Sequence, residues 1–179
     1  MKKSILIIAA AVMVSAVSCM KQQIQSYYDN QESNIEKFVD AAKGIRTVHN
    51  GGSTRVVMVE GDSADSLASN GIVSFYYAGY VMTGSSVSTS NLFATNFQDF
   101  ATSSNWNITD TTGFVVETVK LDEEDLLPGL KNGLKGVRGG EECYILFTGK
   151  YGYGSHESGT IPAKSTLAYH IWVESISNE

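Results

Sequence analysis

The most informative segment of this 179-residue chain is Leu126-Leu127-Pro128-Gly129-Leu130-Lys131-Asn132-Gly133-Leu134. Leu130, Leu134 and Val137 are spaced as neighbours on one helical face. Pro128 suits the first turn of a helix, because the N–H that proline lacks would have had no partner there. The segment therefore predicts a short helix over residues 128–137 whose apolar face covers a sheet.

Strand patterns lie on both sides of this helix. Val, Ile, Tyr and Phe concentrate in residues 55–59, 72–82, 114–121, 142–147 and 166–176. An antiparallel sheet with one covering helix is an α+β domain. Residues 83–112 are rich in Ser, Thr and Asn and predict a long loop. On the last strand Tyr169 points inward, so His170 and Trp172 are predicted to face outward, with His170 a surface residue.

The composition excludes several function classes. The chain carries 13 Lys+Arg against 19 Asp+Glu, a formal net charge of −6. Nucleic acid is not expected as a partner, because phosphate binding needs concentrated Lys and Arg. The three histidines and two cysteines have no metal-ligand spacing, so neither a metal nor a cofactor is expected. Cys143 shares a strand face with Ile145 and Phe147 and is predicted to be a buried, inert thiol.

The N-terminus has the pattern of an export signal. Lys2 and Lys3 precede an apolar run at residues 5–17, which is shorter than the roughly 20 residues that span a bilayer. The end of this run, Val17-Ser18-Cys19, resembles a bacterial lipobox, which implies removal of residues 1–18 and lipidation of Cys19. Met20 favours the outer membrane, so the sequence predicts a lipoprotein of the bacterial cell envelope that faces the periplasm or the surface. An ordinary secretory signal is the alternative.

A helical spacer is predicted between Cys19 and the main domain, within residues 19–51. Ser33 and Glu36 have capping-box spacing, and an apolar stripe follows them at Ile35, Phe38, Val39 and Ala42. These features predict a helix over residues 34–43 whose stripe packs on the main domain, with a dimer contact as the alternative. Asn50-Gly51-Gly52 breaks the chain, so the main domain is predicted over residues 52–179.

Six short motifs occur in a fixed order between about residues 54 and 176. They are Phe75-Tyr76-Tyr77-Ala78-Gly79, Phe93-Ala94-Thr95-Asn96, Leu126 to Leu134, Gly139-Gly140-Glu141, Tyr151-Gly152-Tyr153-Gly154 and Ile161-Pro162-Ala163 through Thr166-Leu167-Ala168-Tyr169. In this order they resemble V-H-Y-T-G, F-D-S-S, V-I-P-G-W-x-x-G-L, V-G-E, Y-A-Y-G and I-P-P-x-x-T-L-x-F of FKBP-type peptidyl-prolyl cis–trans isomerases. The resemblance implies an antiparallel half-barrel sheet of five or six strands, wrapped around one short helix.

The resemblance also implies an apolar pocket for proline-containing polypeptides. Its catalytic residues would be Tyr77, Leu127 and Tyr153, with the Leu127 N–H and the Tyr153 hydroxyl each holding a substrate carbonyl. Its substrate-binding residues would be Phe93, Leu126, Leu130, Ile161 and Tyr169. Leu130 takes the floor position, where many members have Trp.

Isomerisation in such a pocket needs no nucleophile, metal or general base. Rotation about an X-Pro amide crosses a barrier of about 18–20 kcal/mol, because it breaks the C–N resonance. The twisted transition state has less charge separation than the planar amide, so a pocket that removes water favours the twisted form. The expected activity is therefore desolvation and twisting of the X-Pro amide, in the folding of exported proteins.

Three departures from the family pattern keep a second function open. The pocket Asp is Ala94, the floor is Leu130, and residues 115–119 hold no Phe where the family has a further pocket aromatic. One function is an active isomerase of reduced rate, which the retained Tyr153 and Ile161 favour. The other, favoured by Ala94, is a noncatalytic FKBP-like binding module or chaperone lipoprotein that uses the same pocket.

Overall fold

A computed structural model describes residues 2–108 and 111–178 of the chain. Within these residues the helices are α1 (Lys2–Ala42), α2 (Gln98–Ser103) and α3 (Pro128–Leu134). The strands are β1 (Arg46–Asn50), β2 (Ser53–Val59), β3 (Ile72–Val81), β4 (Leu92–Thr95), β5 (Glu117–Lys120), β6 (Glu142–Phe147) and β7 (Leu167–Ser177). They form one antiparallel sheet in the order β1-β2-β6-β7-β3-β4, and β5 pairs with β3 beside that path.

The sheet has two apolar faces because its long strands alternate between two sets of buried side chains. On β7, Tyr169, Ile171 and Val173 join the inner core around α3. Ala168 and Trp172 belong to a second cluster on the outer face. A sheet that is apolar on both faces needs cover on both, and α3 and α1 supply it.

Two glycines let α3 lie directly on β6. Glycine in a helix interior costs roughly 1 kcal/mol relative to alanine, yet α3 has Gly129 and Gly133 on one face. A Cβ at Gly129 would lie 2.1 Å from the Phe147 ring, and one at Gly133 would lie 2.2 Å from a methyl group of Ile145. Close packing against the sheet is therefore the reason for both glycines.

Strand β2 holds α3 along its length through hydrogen bonds. The Ser53 hydroxyl donates to the carbonyl of Gly129. At the other end, Arg55 donates to the carbonyls of Gly133, Lys135 and Gly136 at 2.8, 2.8 and 3.1 Å. The last carbonyls of a helix have no partners within the helix, so Arg55 caps the C-terminal end of α3.

A buried carboxylate holds Arg55 in place. Nε of Arg55 lies 3.1 Å from Oε1 of Glu141, and the two side chains are 3% and 0% exposed. Arg46 of β1 approaches the other oxygen of Glu141 at 3.5 Å. Burial raises the pKa of Glu141, and the two guanidinium groups oppose that rise. The Glu141 carboxylate thus ties β1 and β2 to the end of α3.

The outer face is covered by the C-terminal half of α1. Ile35 is buried there, and Phe38, Val39 and Ala42 pack around it, as predicted for the apolar stripe of the spacer. The Gln31 side chain adds two hydrogen bonds, donating to the Lys164 carbonyl and accepting from the Gly149 N–H. These contacts confirm that the stripe packs on the main domain.

The helix boundaries correct the prediction for this region. The helix does not begin at a capping box formed by Ser33 and Glu36, because α1 continues without a break from Lys2 to Ala42. Helix α3 ends at Leu134 rather than at residue 137, because Lys135 leaves helical geometry and Arg55 takes over its carbonyl. Within the described residues, no helix combines the length and the apolar character that a bilayer span requires.

Three elements were not predicted. Strand β1 pairs with β2 upstream of residue 52, where the sequence placed the start of the domain. Strand β4 and helix α2 lie inside residues 83–112, which were predicted to be a loop. The sheet therefore has seven strands in the described residues rather than five or six. Strand β1 has one apolar residue, Val48, and β4 has only four residues, so neither shows an extended alternating pattern.

His170 is not a surface residue, although it faces away from the inner core as predicted. Its ring stacks on Tyr144 at 4.2 Å and lies 3.8 Å from the Trp172 ring, centroid to centroid. Its side chain is 12% exposed and pairs with Glu142 at 2.8 Å. Burial lowers the pKa of His170, and the contact with Glu142 opposes that shift. Cys143 is fully buried, as predicted, and burial raises the pKa of its thiol.

Replacing Arg55 with Met should lower the free energy of unfolding by about 3–5 kcal/mol, because the buried Glu141 would lose its nearer partner and keep only Arg46 at 3.5 Å. Urea unfolding of both proteins measures this difference. Glu60→Gln is the matched control, because Glu60 forms an exposed pair with Arg46 at 2.9 Å and should cost no more than about 1 kcal/mol. Equal effects of the two substitutions would contradict the central role of the buried pair.

Candidate active site

A cavity of about 570 Å³ lies between the inner face of the sheet and the N-terminal end of α3. This volume falls within the usual range for small-molecule and side-chain pockets. The lining includes seven of the eight predicted pocket residues: Tyr77, Phe93, Leu126, Leu130, Tyr153, Ile161 and Tyr169. The structure therefore brings together residues from β3, β4, β7, α3 and two loops.

Tyr169 is the centre of the aromatic wall. Its ring centroid lies 5.9 Å from Tyr77, 5.8 Å from Phe93 and 5.9 Å from Phe147. The Phe93 ring meets Tyr169 edge to face, an arrangement that aromatic quadrupoles favour. Each ring fixes its neighbours, so the apolar surface is formed before any ligand arrives.

Phe93 depends on a glycine in the neighbouring strand. Its ring lies across Gly79 of β3, and a Cβ at Gly79 would come within 2.6 Å of the ring tip. Gly79 and Ala94 are register partners in the β3–β4 pair. The glycine therefore leaves the space that Phe93 needs in order to reach Tyr169.

Two turns position Tyr153 and Ile161. Gly154, with a φ of 59°, donates to the carbonyl of Gly149 at 2.8 Å and closes the loop around Tyr153. Ser158 and Ile161 exchange backbone hydrogen bonds at 3.0 and 2.9 Å around Gly159, whose φ is 56°. A positive φ at the first central position is what a type II′ hairpin turn needs.

Leu127 does not line the cavity with its side chain, which packs at the edge of the inner core. It is the residue before α3, and its carbonyl accepts the N–H of Lys131 at 2.9 Å. In the described part of the chain no acceptor bonds the Leu127 N–H. Its predicted role as a backbone donor to substrate stays a prediction.

The sequence did not single out three polar features of the site. Asn96 is buried and accepts the Tyr77 N–H at 2.6 Å while donating to the carbonyls of Phe75 and Val115. Glu117 lines the cavity on β5, within the segment where the family has an aromatic. The loop residues Ser158, Gly159 and Thr160 also belong to the lining. Asn96 thus ties the segment that leads to Glu117 against Tyr77.

The hydroxyls of Tyr77 and Tyr169 in the cavity stay protonated at neutral pH. Burial raises the pKa of Tyr77, with smaller contributions from Glu117 and Tyr153. Burial also raises the pKa of Tyr169, to which Tyr153 and Tyr77 add. Both groups can therefore donate a hydrogen bond but cannot act as bases. In the part of the chain that the structure describes, no cluster of three His, Cys, Asp or Glu side chains could hold a metal ion.

The fold and the cavity together define a class: small antiparallel half-barrels with an apolar cavity between the sheet and one helix. The family model of FKBP-type peptidyl-prolyl cis-trans isomerases matches residues 65–174. The chain therefore belongs to the FKBP family, as the motifs indicated.

Solved structures agree on the fold. The crystal structure of the three FKBP domains of wheat FKBP73 matches with a TM-score of 0.58 and 19% identity, over 73% of this chain and 50% of that one. This chain thus spans about half the length of the wheat protein. The crystal structure of FkpA from Escherichia coli matches with a TM-score of 0.57 and 19% identity, over 98% of this chain and 71% of that one. At this identity the matches show the fold alone, and they confirm the predicted α+β half-barrel.

Substituting Gly79 with Ala should displace the Phe93 ring and weaken binding of a macrolide ligand of this family by about tenfold or more, because one aromatic wall is lost. Titration calorimetry of both proteins measures the affinity, and a parallel urea unfolding curve separates binding from stability. Gly113→Ala is the control, because a Cβ there meets no atom within 4 Å. Unchanged affinity in Gly79→Ala would show that Phe93 does not form a wall of the binding site.

Proposed function

We propose that the chain is an active peptidyl-prolyl cis–trans isomerase that assists the folding of exported proteins. The observation that supports this most is the single cavity surface shared by Tyr77, Phe93, Tyr153, Ile161 and Tyr169. Apolar rings surround a space large enough for a prolyl residue, and the hydroxyls of Tyr153 and its neighbours stand beside it. This is the environment that a twisted X-Pro amide needs.

The mechanism relies on the difference between the two amide geometries. A planar X-Pro amide is polar and strongly hydrated, whereas the twisted amide has lost C–N resonance and much of its charge separation. Moving the amide into the aromatic cavity removes water and so costs the planar form more than the twisted form. A hydrogen bond from the Tyr153 hydroxyl or the Leu127 N–H to a flanking carbonyl orients the peptide during rotation.

Two residues that line the cavity, Ala94 and Glu117, predict slower X-Pro isomerisation than in FKBP family members with the complete motif. Ala94 offers no acceptor for the Tyr77 hydroxyl, which a family Asp at this position would orient. Glu117 replaces apolar wall with an exposed carboxylate and its hydration shell. Both features make the cavity wetter, and water reduces the preference for the less polar transition state.

The alternative is a noncatalytic binding module or chaperone lipoprotein, in which the same cavity holds apolar segments without accelerating rotation. The same two residues, Ala94 and Glu117, favour it, because both line the cavity and both depart from the family pattern. The two functions differ in one measurable quantity, the rate of cis–trans exchange.

Ala94→Asp should raise kcat/KM on an X-Pro peptide by up to about tenfold, equivalent to about 1.4 kcal/mol, because the new carboxylate accepts from Tyr77. A proline-isomerisation assay on a soluble form beginning at Met20 measures the rates. Ala94→Val has a similar shape without the acceptor and should give no increase, and Tyr153→Phe should lower the rate. No activity in the wild type or in Ala94→Asp would refute the enzyme and favour the noncatalytic module.

We further propose that the protein is anchored in the bacterial cell envelope by a lipidated Cys19, on the outer membrane and facing the periplasm or the surface. The support is the sequence alone: a charged start, a short apolar run and Val17-Ser18-Cys19. Several acyl chains on one residue give stable anchoring, where a single chain binds only marginally. The anchor places the cavity where exported clients fold.

Cys19→Ser should leave the protein unlipidated and release it from the membrane fraction. Fractionation of cells with mass spectrometry of the N-terminal peptide checks both expectations, and Cys143→Ser is the control because that thiol is buried in the domain core. Membrane association of the Cys19→Ser protein, together with a wild type that carries no acyl group, would exclude the lipoprotein.

A further inference from the structure

A second groove lies beside the cavity and shares two of its residues. This groove, of about 590 Å³, is lined by Val81, Ser90, Asn91, Leu92, Phe93, Trp106, Thr160 and Pro162. Phe93 and Thr160 also line the cavity, so the two spaces are separated only by a shared wall. A polypeptide that leaves the cavity past these two residues meets the groove next.

The chemistry of the groove selects for an apolar occupant. Five of its lining residues are apolar, and none carries an ionisable side chain. A charged side chain would lose hydration there without gaining an ionic partner, whereas an apolar or aromatic one would gain buried area. Ser90, Asn91 and Thr160 offer polar atoms of the kind that bond a peptide backbone.

Trp106 is held before any ligand binds by backbone hydrogen bonds and by packing of its side chain against the outer-face cluster. Helix α2 ends in a Schellman motif, in which the Trp106 N–H donates to the Ala101 carbonyl at 2.9 Å and the Asn105 N–H donates to the Thr102 carbonyl at 3.3 Å. Asn105 takes the left-handed conformation that this motif requires, with a φ of 53°. Ala101 is fully buried and anchors the helix end. A fixed tryptophan loses little freedom on binding, which is why this residue type dominates binding hot spots.

We infer that this groove is a second substrate subsite, which binds an apolar side chain of the same polypeptide a few residues from the proline. The inference rests on the proposed function, because it takes the neighbouring cavity as the prolyl site. Its evidence is separate: continuity through Phe93 and Thr160, an uncharged lining and a tryptophan fixed by α2. The preferred clients are then segments in which proline lies near an aromatic or large aliphatic residue.

The test uses the full chain in detergent and two families of X-Pro peptides. Each carries Phe, or Ala as reference, at two, three or four residues from the proline, on either side. At one or more of these positions Phe should raise kcat/KM about tenfold over Ala, because burying an aromatic hot-spot residue is worth more than 1 kcal/mol. Trp106→Ala should remove this gain, and Trp106→Phe should keep much of it.

A binding measurement reports on the groove without relying on catalysis. The chain has two tryptophans, so 5-fluorotryptophan labelling gives two ¹⁹F signals, which Trp106→Phe assigns. The best Phe peptide should shift the Trp106 signal and leave Trp172 unchanged, because the Trp172 ring packs against Phe97 and His170 and does not line the groove. The Ala peptide should shift neither signal.

The outcomes separate this inference from the proposed function. If the wild type isomerises Ala peptides but gains no more than twofold from Phe at any position, the inferred subsite is wrong and the proposed isomerase activity still stands. A gain that survives Trp106→Ala also overturns the inferred subsite. If the wild type isomerises no peptide, the proposed isomerase activity is wrong, and the ¹⁹F titration alone tests whether the groove binds a Phe side chain. A shift of the Trp106 signal on adding the Phe peptides supports binding in the groove. An unchanged Trp106 signal contradicts it.

Discussion

The architecture depends on one buried guanidinium. Arg55 reaches from β2 under the C-terminal end of α3, donates to three carbonyls in its last turn and just after it, and is held by the Glu141 carboxylate. A helix as short as α3 has no stability of its own in water, so its position is set by such contacts and by packing on β6. At the opposite end, Leu130 of α3 and Leu126 in the loop before it line the cavity. Fixing one end of α3 therefore fixes the floor of the site at the other.

The site is built from apolar contacts rather than from a polar catalytic set. Tyr169 sits in the inner core with Phe147 on one side and the cavity rings on the other, so its surface is continuous with the core. This continuity explains why the cavity is preformed: its wall cannot move unless the core moves, and close-packed cores do not deform gradually. Burial raises the pKa values of Tyr77 and Tyr169, so their hydroxyls stay protonated and can donate hydrogen bonds there.

The sequence predicted the parts of this protein that local patterns encode. Strand β6 and the start of α3 were correct because an alternating apolar run and a proline in the first turn are local signals. Seven of eight pocket residues could be named because they lie in motifs with fixed spacing. Strand β4 and helix α2 were missed because their order comes from distant contacts: Phe97 stacks on Tyr76, and Asn96 bonds across to β3. Glu117 was missed because a charged residue on a short edge strand gives no sign of which side it faces.

Helix α2 connects the outer-face apolar cluster to the groove that Trp106 lines. Phe100 packs against Tyr80 and Trp172 on the outer face. Phe38 of α1 packs against Tyr144 in the same outer-face cluster. Ala101, the next residue of α2, is buried, and Trp106, just after the helix, lines the groove beside Phe93. Because a six-residue helix is not stable alone, the placement of Trp106 depends on the aromatic contacts of α2 with the outer face. Those contacts in turn belong to the apolar layer that α1 covers, so the long N-terminal helix contributes to the order of the groove although its residues are not among those that line it.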